Sequence, residues 1–349
     1  MINIRLFWVC FNPFFKRLFY FEPIIYALIS ITAVFTSLSL KISLRGLIFT
    51  SIVCLYLSYL NYELLLMYFP PLLILLFKPT FTKMDFYSIL QKFQPILALI
   101  LVYSLVHKLF GYTFIELNWI YSGLGTVNVE GYFVREDIRP ISFLAGTPEL
   151  TLLYSIYSFY YLKQKNFVLS IFMIFSSFYL AGSRGVIVSL LIALFVLWLS
   201  KDGRKVSFRW ALFLSVFFNI LTYFLLVISG PFLLAISSDS RMFVYGTFNA
   251  RFEMLVAFYL KHKDTFFLIP SPDIEVYDNS VLTLTSHFTI LSNVFLVFVA
   301  LKFVKTERQL FSLSILLGYA LYADVIMGYY FLFLIGVMYF AKERYNHTT

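Results

Sequence analysis

The feature that most constrains this chain is a run of long apolar segments divided by short basic clusters. Apolar stretches occupy 23–40, 46–61, 64–77, 95–110, 141–162, 166–181, 185–200, 208–229, 281–301, 309–323 and 325–341. A helix needs roughly 20 apolar residues to cross the hydrocarbon core of a bilayer. Hydrophobic residues make up 61% of the 349 and charged residues 13%, against about 25% charged in an ordinary soluble domain. A chain this apolar has too little polar surface to hold itself in water. The expected fold class is therefore all-α: a polytopic integral membrane helix bundle of about ten or eleven transmembrane helices, with 1–349 forming one transmembrane domain. The 26 tyrosines agree with this, since Tyr is favoured at the headgroup level.

The net charge is +9. On a soluble chain such an excess would point towards nucleic acid. Here the basic residues lie between apolar runs, which is the pattern of cytoplasmic loops, so no nucleic-acid partner is expected. Lys163 and Lys165 form one cluster, Lys201, Arg204, Lys205 and Arg209 a second, Lys302, Lys305 and Arg308 a third, and Lys342 and Arg344 a fourth. Counting spans from 141 onward puts all four on one side, the cytoplasm, with Lys78, Lys83 and Lys92. The C-terminus is then cytoplasmic, and the long connections 111–140 and 230–280 face the opposite side. The side of the N-terminus depends on whether 44–77 crosses once or twice. Residues 5–21, interrupted by Pro13, Lys16 and Arg17, read as an interfacial amphipathic segment. The run from Pro23 lacks a small-residue cleavage site and reads as a retained helix. Cys10 and Cys54 imply no disulfide framework.

The two long external segments carry most of the non-cytoplasmic charge, Glu116 and His262 included. Arg184 stands in Ala-Gly-Ser-Arg-Gly between two apolar runs. It is either a helix-end anchor in a turn or an anion-binding guanidinium, because a cation on that face runs against the positive-inside rule. Glu149 lies inside an apolar run behind Pro148 and is either a functional carboxylate or the partner of an external arginine, Arg135 or Arg139. His287 is a hydrogen-bonded packing residue or a base, and Asp278-Asn279 is a helix cap or holds a general base. His107 and Lys108 end a span and look interfacial. No Walker A loop and no cluster with metal-ligand spacing occurs, and Asp273-Ile-Glu275 is only a weak divalent-ion signal. The sequence calls for neither a metal nor a cofactor.

Three segments in order carry a resemblance: 139-RPISFLAGTPE-149, preceded by Arg135; 181-AGSRG-185; and Arg251 leading to 278-DNSVL-282. Together, over roughly 130–300, they resemble the bacterial O-antigen and capsular polysaccharide polymerases of the O-antigen polymerase/ligase superfamily. The resemblance implies a GT-C-like architecture in the bacterial inner membrane and a metal-independent inverting glycosyltransferase. Its substrates would be undecaprenyl-diphosphate-linked oligosaccharides, and its partners membrane lipid and a polysaccharide chain-length regulator. Arg184, Arg135, Arg139, Arg251 and Arg241 would bind the diphosphate, and Asp278, Glu149 or His287 would supply the base. The ligases carry His-Asn where this chain has Asp278-Asn279, which favours the polymerase over the ligase. A lipid-linked oligosaccharide flippase is the rival from the transporter class.

Overall fold

In the computed structural model the described residues are 2–42, 44–79, 85–121, 133–134, 137–138, 140, 142–144, 147–180, 190, 193–194, 246–265, 267–273, 277, 279–292, 304, 306–320, 334–336 and 341. They are mostly helical. The helices are α1 (Ile2–Leu18), α2 (Pro23–Ser37), α3 (Leu44–Leu60), α4 (Tyr62–Met67), α5 (Phe69–Leu76), α6 (Phe86–Phe110), α7 (Phe114–Tyr121), α8 (Thr147–Lys163), α9 (Phe167–Tyr179), α10 (Gly246–His262), α11 (Ser280–Phe288) and α12 (Glu307–Ala320). Two short antiparallel ladders interrupt them: β1 (Leu38–Ile42) with β2 (Phe77–Pro79), and β3 (Phe133–Val134) with β4 (Asp137–Ile138).

The chain divides into two compact units. One comprises Met1–Ile52, Phe69–Ile187 and Gly328–Thr349, the other Val53–Tyr68 and Val188–Met327.

Among the described residues one helix, α6, is long and apolar enough to cross a membrane. Its 25 residues span about 37 Å at 1.5 Å per residue. The apolar run at 95–110 is thus only its second part. Asp85 starts the helix nine residues earlier by accepting from the Ser88 backbone N–H at 2.9 Å, and the polar pair Gln91 and Lys92 is carried inside it. The other runs give shorter pieces. The stretch 44–77 breaks at Asn61, whose side chain caps α4 through the Glu63 N–H, and again at Tyr68. The run 166–181 yields 13 helical residues, about 20 Å, short of a full crossing. The runs 185–200, 208–229 and 325–341 fall almost wholly outside the described residues.

In the first unit large apolar side chains lie both inside and on the outer surface. Every residue of α8 from Glu149 to Tyr161 is buried, so this helix runs through the interior on all its faces. Its tyrosines satisfy their hydroxyls on α6: Tyr157 donates to the Leu90 carbonyl at 2.9 Å and Tyr154 pairs with Ser104 Oγ at 3.0 Å. The α9 helix packs on α8 through small polar side chains, with Ser158 Oγ and Ser170 Oγ 3.0 Å apart. The buried face of α9 is Ser170, Met173, Ser176 and Ser177, whereas Val168, Ile171, Phe172 and Phe175 are exposed. On α6 the buried face is Phe86, Ile89, Leu90, Phe93, Leu97 and Ile100, then Ser104 and His107, while Leu99, Val102, Leu109 and Phe110 are exposed. Small residues at the α8–α9 contact with large apolar ones on the outer face of α9 is the way helices pack in lipid.

Candidate functional site

The first unit holds a fully buried ionic cluster at the C-terminal end of α6. It gathers Arg17 from α1, His107 from α6 and Glu116 from α7, each with no exposed surface. Glu116 is placed by its own helix end. Thr113-Phe-Ile-Glu116 forms a capping box, in which the Glu116 carboxylate accepts from the Thr113 N–H at 3.0 Å and Thr113 Oγ1 accepts from the Glu116 N–H at 3.3 Å. The same carboxylate accepts from His107 Nε2 at 3.1 Å, Arg17 Nη1 at 3.2 Å and the Tyr103 hydroxyl at 3.3 Å. Burial opposes ionisation of Glu116. The hydrogen bond from His107 and the Arg17 and His107 charges outweigh it and hold the carboxyl at about 2. His107 donates through Nε2, and among the described residues its buried Nδ1 has no hydrogen-bond partner.

Arg17 has further acceptors among the described residues. Besides Glu116 it donates through Nη2 to the carbonyls of Ser142 and Leu144, at 2.7 and 2.9 Å, and through Nε to Pro13 at 3.3 Å. The faces of Phe14 and Trp119 lie 5.8 and 5.7 Å from its guanidinium carbon. Arg17 and His107, read from the sequence as interfacial, are buried within the unit. The signal for Glu116 was present in the sequence as the Thr-x-x-Glu capping box.

Glu149 lies in the first turn of α8 and is buried. Among the described residues no ion pair involves it. Arg135, Arg139, Arg184, Arg241 and Asp278 lie outside the described residues. Arg251 is on α10, of which only the backbone is described at that position.

In the second unit His287 is held at both ring nitrogens. Nε2 lies 3.1 Å from the Asp273 carbonyl oxygen, which only accepts, so Nε2 carries the hydrogen. Nδ1 then accepts from the Tyr68 hydroxyl at 2.8 Å. The Tyr56 hydroxyl donates to the His287 carbonyl at 2.8 Å. Held this way, the imidazole has no nitrogen left to take a proton from a substrate. Replacing Tyr68 by Phe should leave Nδ1 buried and unpaired, at a cost of about 1–3 kcal/mol. A thermal melt of the purified variant in detergent checks this; an unchanged midpoint would mean that the hydroxyl does not hold the ring.

Asn279 caps α11, its Oδ1 accepting from the N–H groups of Val281 and Leu282 at 2.9 and 3.0 Å. The capping role of the Asp278-Asn279 pair is thus filled by Asn279. Asp273 is bound at 2.6 Å to Lys261, and this exposed lysine holds its carboxyl below the usual range. Burial, with Asp273 nearby, pushes the Tyr277 hydroxyl up to about 12. Burial, then Lys261 and His287, pushes His262 below its ordinary value. Among the described residues no group of His, Cys, Asp and Glu side chains is arranged to hold a metal, and Glu275 lies outside them.

Compared with known proteins, the chain matches no family model, no curated protein and no solved structure.

Proposed function

We propose that the chain is a polytopic enzyme of the bacterial inner membrane, similar to the O-antigen polymerases, that joins polyprenyl-diphosphate-linked repeat units. The acceptor's sugar hydroxyl attacks the donor's anomeric carbon. The bond from that carbon to the diphosphate oxygen breaks, the configuration inverts, and the hydroxyl proton passes to a base. The lipid diphosphate leaves, and the chain grows on the acceptor's carrier. Arg135, Arg139, Arg184, Arg241 and Arg251 supply cations for the leaving charge, with no step through a metal. Asp278 is the first choice for the base and Glu149 the second. His287 stays third, with both its nitrogens engaged.

The observation that carries this reading is the order of the three segments along the chain. Two of them open helices: 139–149 leads into α8, with Glu149 in its first turn, and 278–282 leads into α11. Helix N-termini favour anionic groups. The apolar outer faces of α6 and α9 support a lipid surround for the carrier's tail.

One observation favours the transporter reading instead. The Arg17–Glu116–His107 cluster puts charge in the interior of a unit, as a lipid-linked oligosaccharide flippase would. Deletion of the gene separates the two: loss of a polymerase leaves surface glycan of a single repeat, and loss of a flippase leaves none.

The orientation has its own test. Reporter fusions at Asn128 and Ser271 should give periplasmic signals, and one at Thr349 a cytoplasmic signal. A cytoplasmic signal at Asn128 or Ser271 would reverse the topology and remove the external arginines from the reaction.

A further inference from the structure

The segment 139–149 carries both a candidate base and a candidate diphosphate ligand, yet its middle is held by a residue more than a hundred positions away. Ser142 has a left-handed backbone, φ 53°, which a non-glycine residue keeps only when its surroundings enforce it. Three kinds of contact do so. Ser142 Oγ donates to the Ile100 carbonyl on α6 at 2.9 Å. The Phe143 ring stacks on Tyr103 with centroids 4.4 Å apart, and also lies against Phe11 and Phe14 of α1 at 4.5 and 5.2 Å. The carbonyls on either side of Phe143, those of Ser142 and Leu144, both accept from the same Arg17 nitrogen.

The α8 helix begins at Thr147, three residues after Leu144, and Glu149 is in its first turn. Arg17 is in turn fixed by Glu116, whose carboxylate is set by the capping box of α7. A chain of contacts therefore runs from α7 through Arg17 to the turn at 142–144.

We propose that Arg17 is a positioning residue: by holding the Ser142 and Leu144 carbonyls it sets the turn that aims the start of α8, and with it Glu149. Its kinetic consequence rests on the polymerase reading; its structural consequence does not. Lysine at position 17 keeps the charge opposite Glu116 but loses the planar fork that reaches Glu116 and the two carbonyls at once.

The experiment compares full-length wild type and Arg17→Lys in nanodiscs by amide hydrogen exchange and by elongation of a defined undecaprenyl-diphosphate-linked repeat unit. Exchange across 142–149 should speed up by about tenfold or more in the variant, while 153–163 in the interior of α8 stays as in wild type. The rate kcat should fall by about 10²-fold with KM little changed, the signature of a misplaced reacting group. If Arg17→Lys does not fold, Glu116→Gln serves as the second variant, because it loosens Arg17 without touching the turn. Wild-type exchange across 142–149 in a folded variant overturns the inference. So does faster exchange spread evenly over the whole unit, which marks a general packing role. If the wild-type protein itself does not elongate, the polymerase reading fails and the exchange result still decides the clamp.

Discussion

Arg184→Ala should abolish chain elongation, and Arg184→Lys should retain only a small part of it. The residue stands in 181-AGSRG-185, directly after α9, which ends at Tyr179 with Leu180 as its cap. The flanking glycines let a bulky headgroup approach the backbone closely. A charge-assisted hydrogen bond to a diphosphate contributes about 1.5–3 kcal/mol, and more where the charge builds up only as the leaving group departs. Lysine offers one compact charge in place of the two-pronged fork that matches phosphate oxygens. Both variants should express and melt as wild type, since the Gly-flanked turn expected from the sequence at 181–185 carries little packing. Polymer length measured at matched expression decides the matter. Wild-type length from Arg184→Ala would reduce the residue to a helix-end anchor.

The second large effect is on stability. Arg17→Met should destabilise the protein by about 3–5 kcal/mol, because it leaves the Glu116 carboxylate buried without its main cation. The same cluster predicts a pH dependence with a definite sign. The Glu116 carboxyl is held at about 2 in the folded chain against an ordinary 4.5. A depressed carboxyl stabilises the fold above its unfolded value, and that stability drains away as pH falls towards the folded value. Wild type should therefore lose stability between about pH 4.5 and pH 2. Glu116→Gln should lack that component and change less across the window. Thermal melts in detergent across the range check both statements; parallel curves for wild type and Glu116→Gln would show that the fold does not hold the Glu116 carboxyl below its unfolded value.

What the sequence made legible was the local part. Helicity, apolar runs and helix punctuation follow from residues close together in the chain, so the Asn61 break and the polar stop after α6 could be anticipated. The apolar run covers only the second part of α6 because Gln91 and Lys92 interrupt the pattern, while the Asp85–Ser88 cap that sets the boundary is a polar signal. The tie between Arg17 and residues 116, 142 and 144 was invisible for a different reason. It joins positions separated by 99, 125 and 127 residues, and no local pattern links them. An arginine after an apolar stretch looks interfacial until the acceptors that permit its burial are known. His287 shows the converse: its ambiguity as packing residue or base was resolved towards packing only by Tyr68 and the Asp273 carbonyl, neither of which its own helix supplies.

The central claim is that this chain lengthens a lipid-linked glycan. It is tested most directly by incubating the purified protein in nanodiscs with a defined undecaprenyl-diphosphate-linked repeat unit and resolving the products by size. The expected products form a ladder longer by whole repeats, with free undecaprenyl diphosphate released once per bond formed. Recovery of the unchanged single repeat, by a folded protein that moves the same lipid across the bilayer, would contradict it.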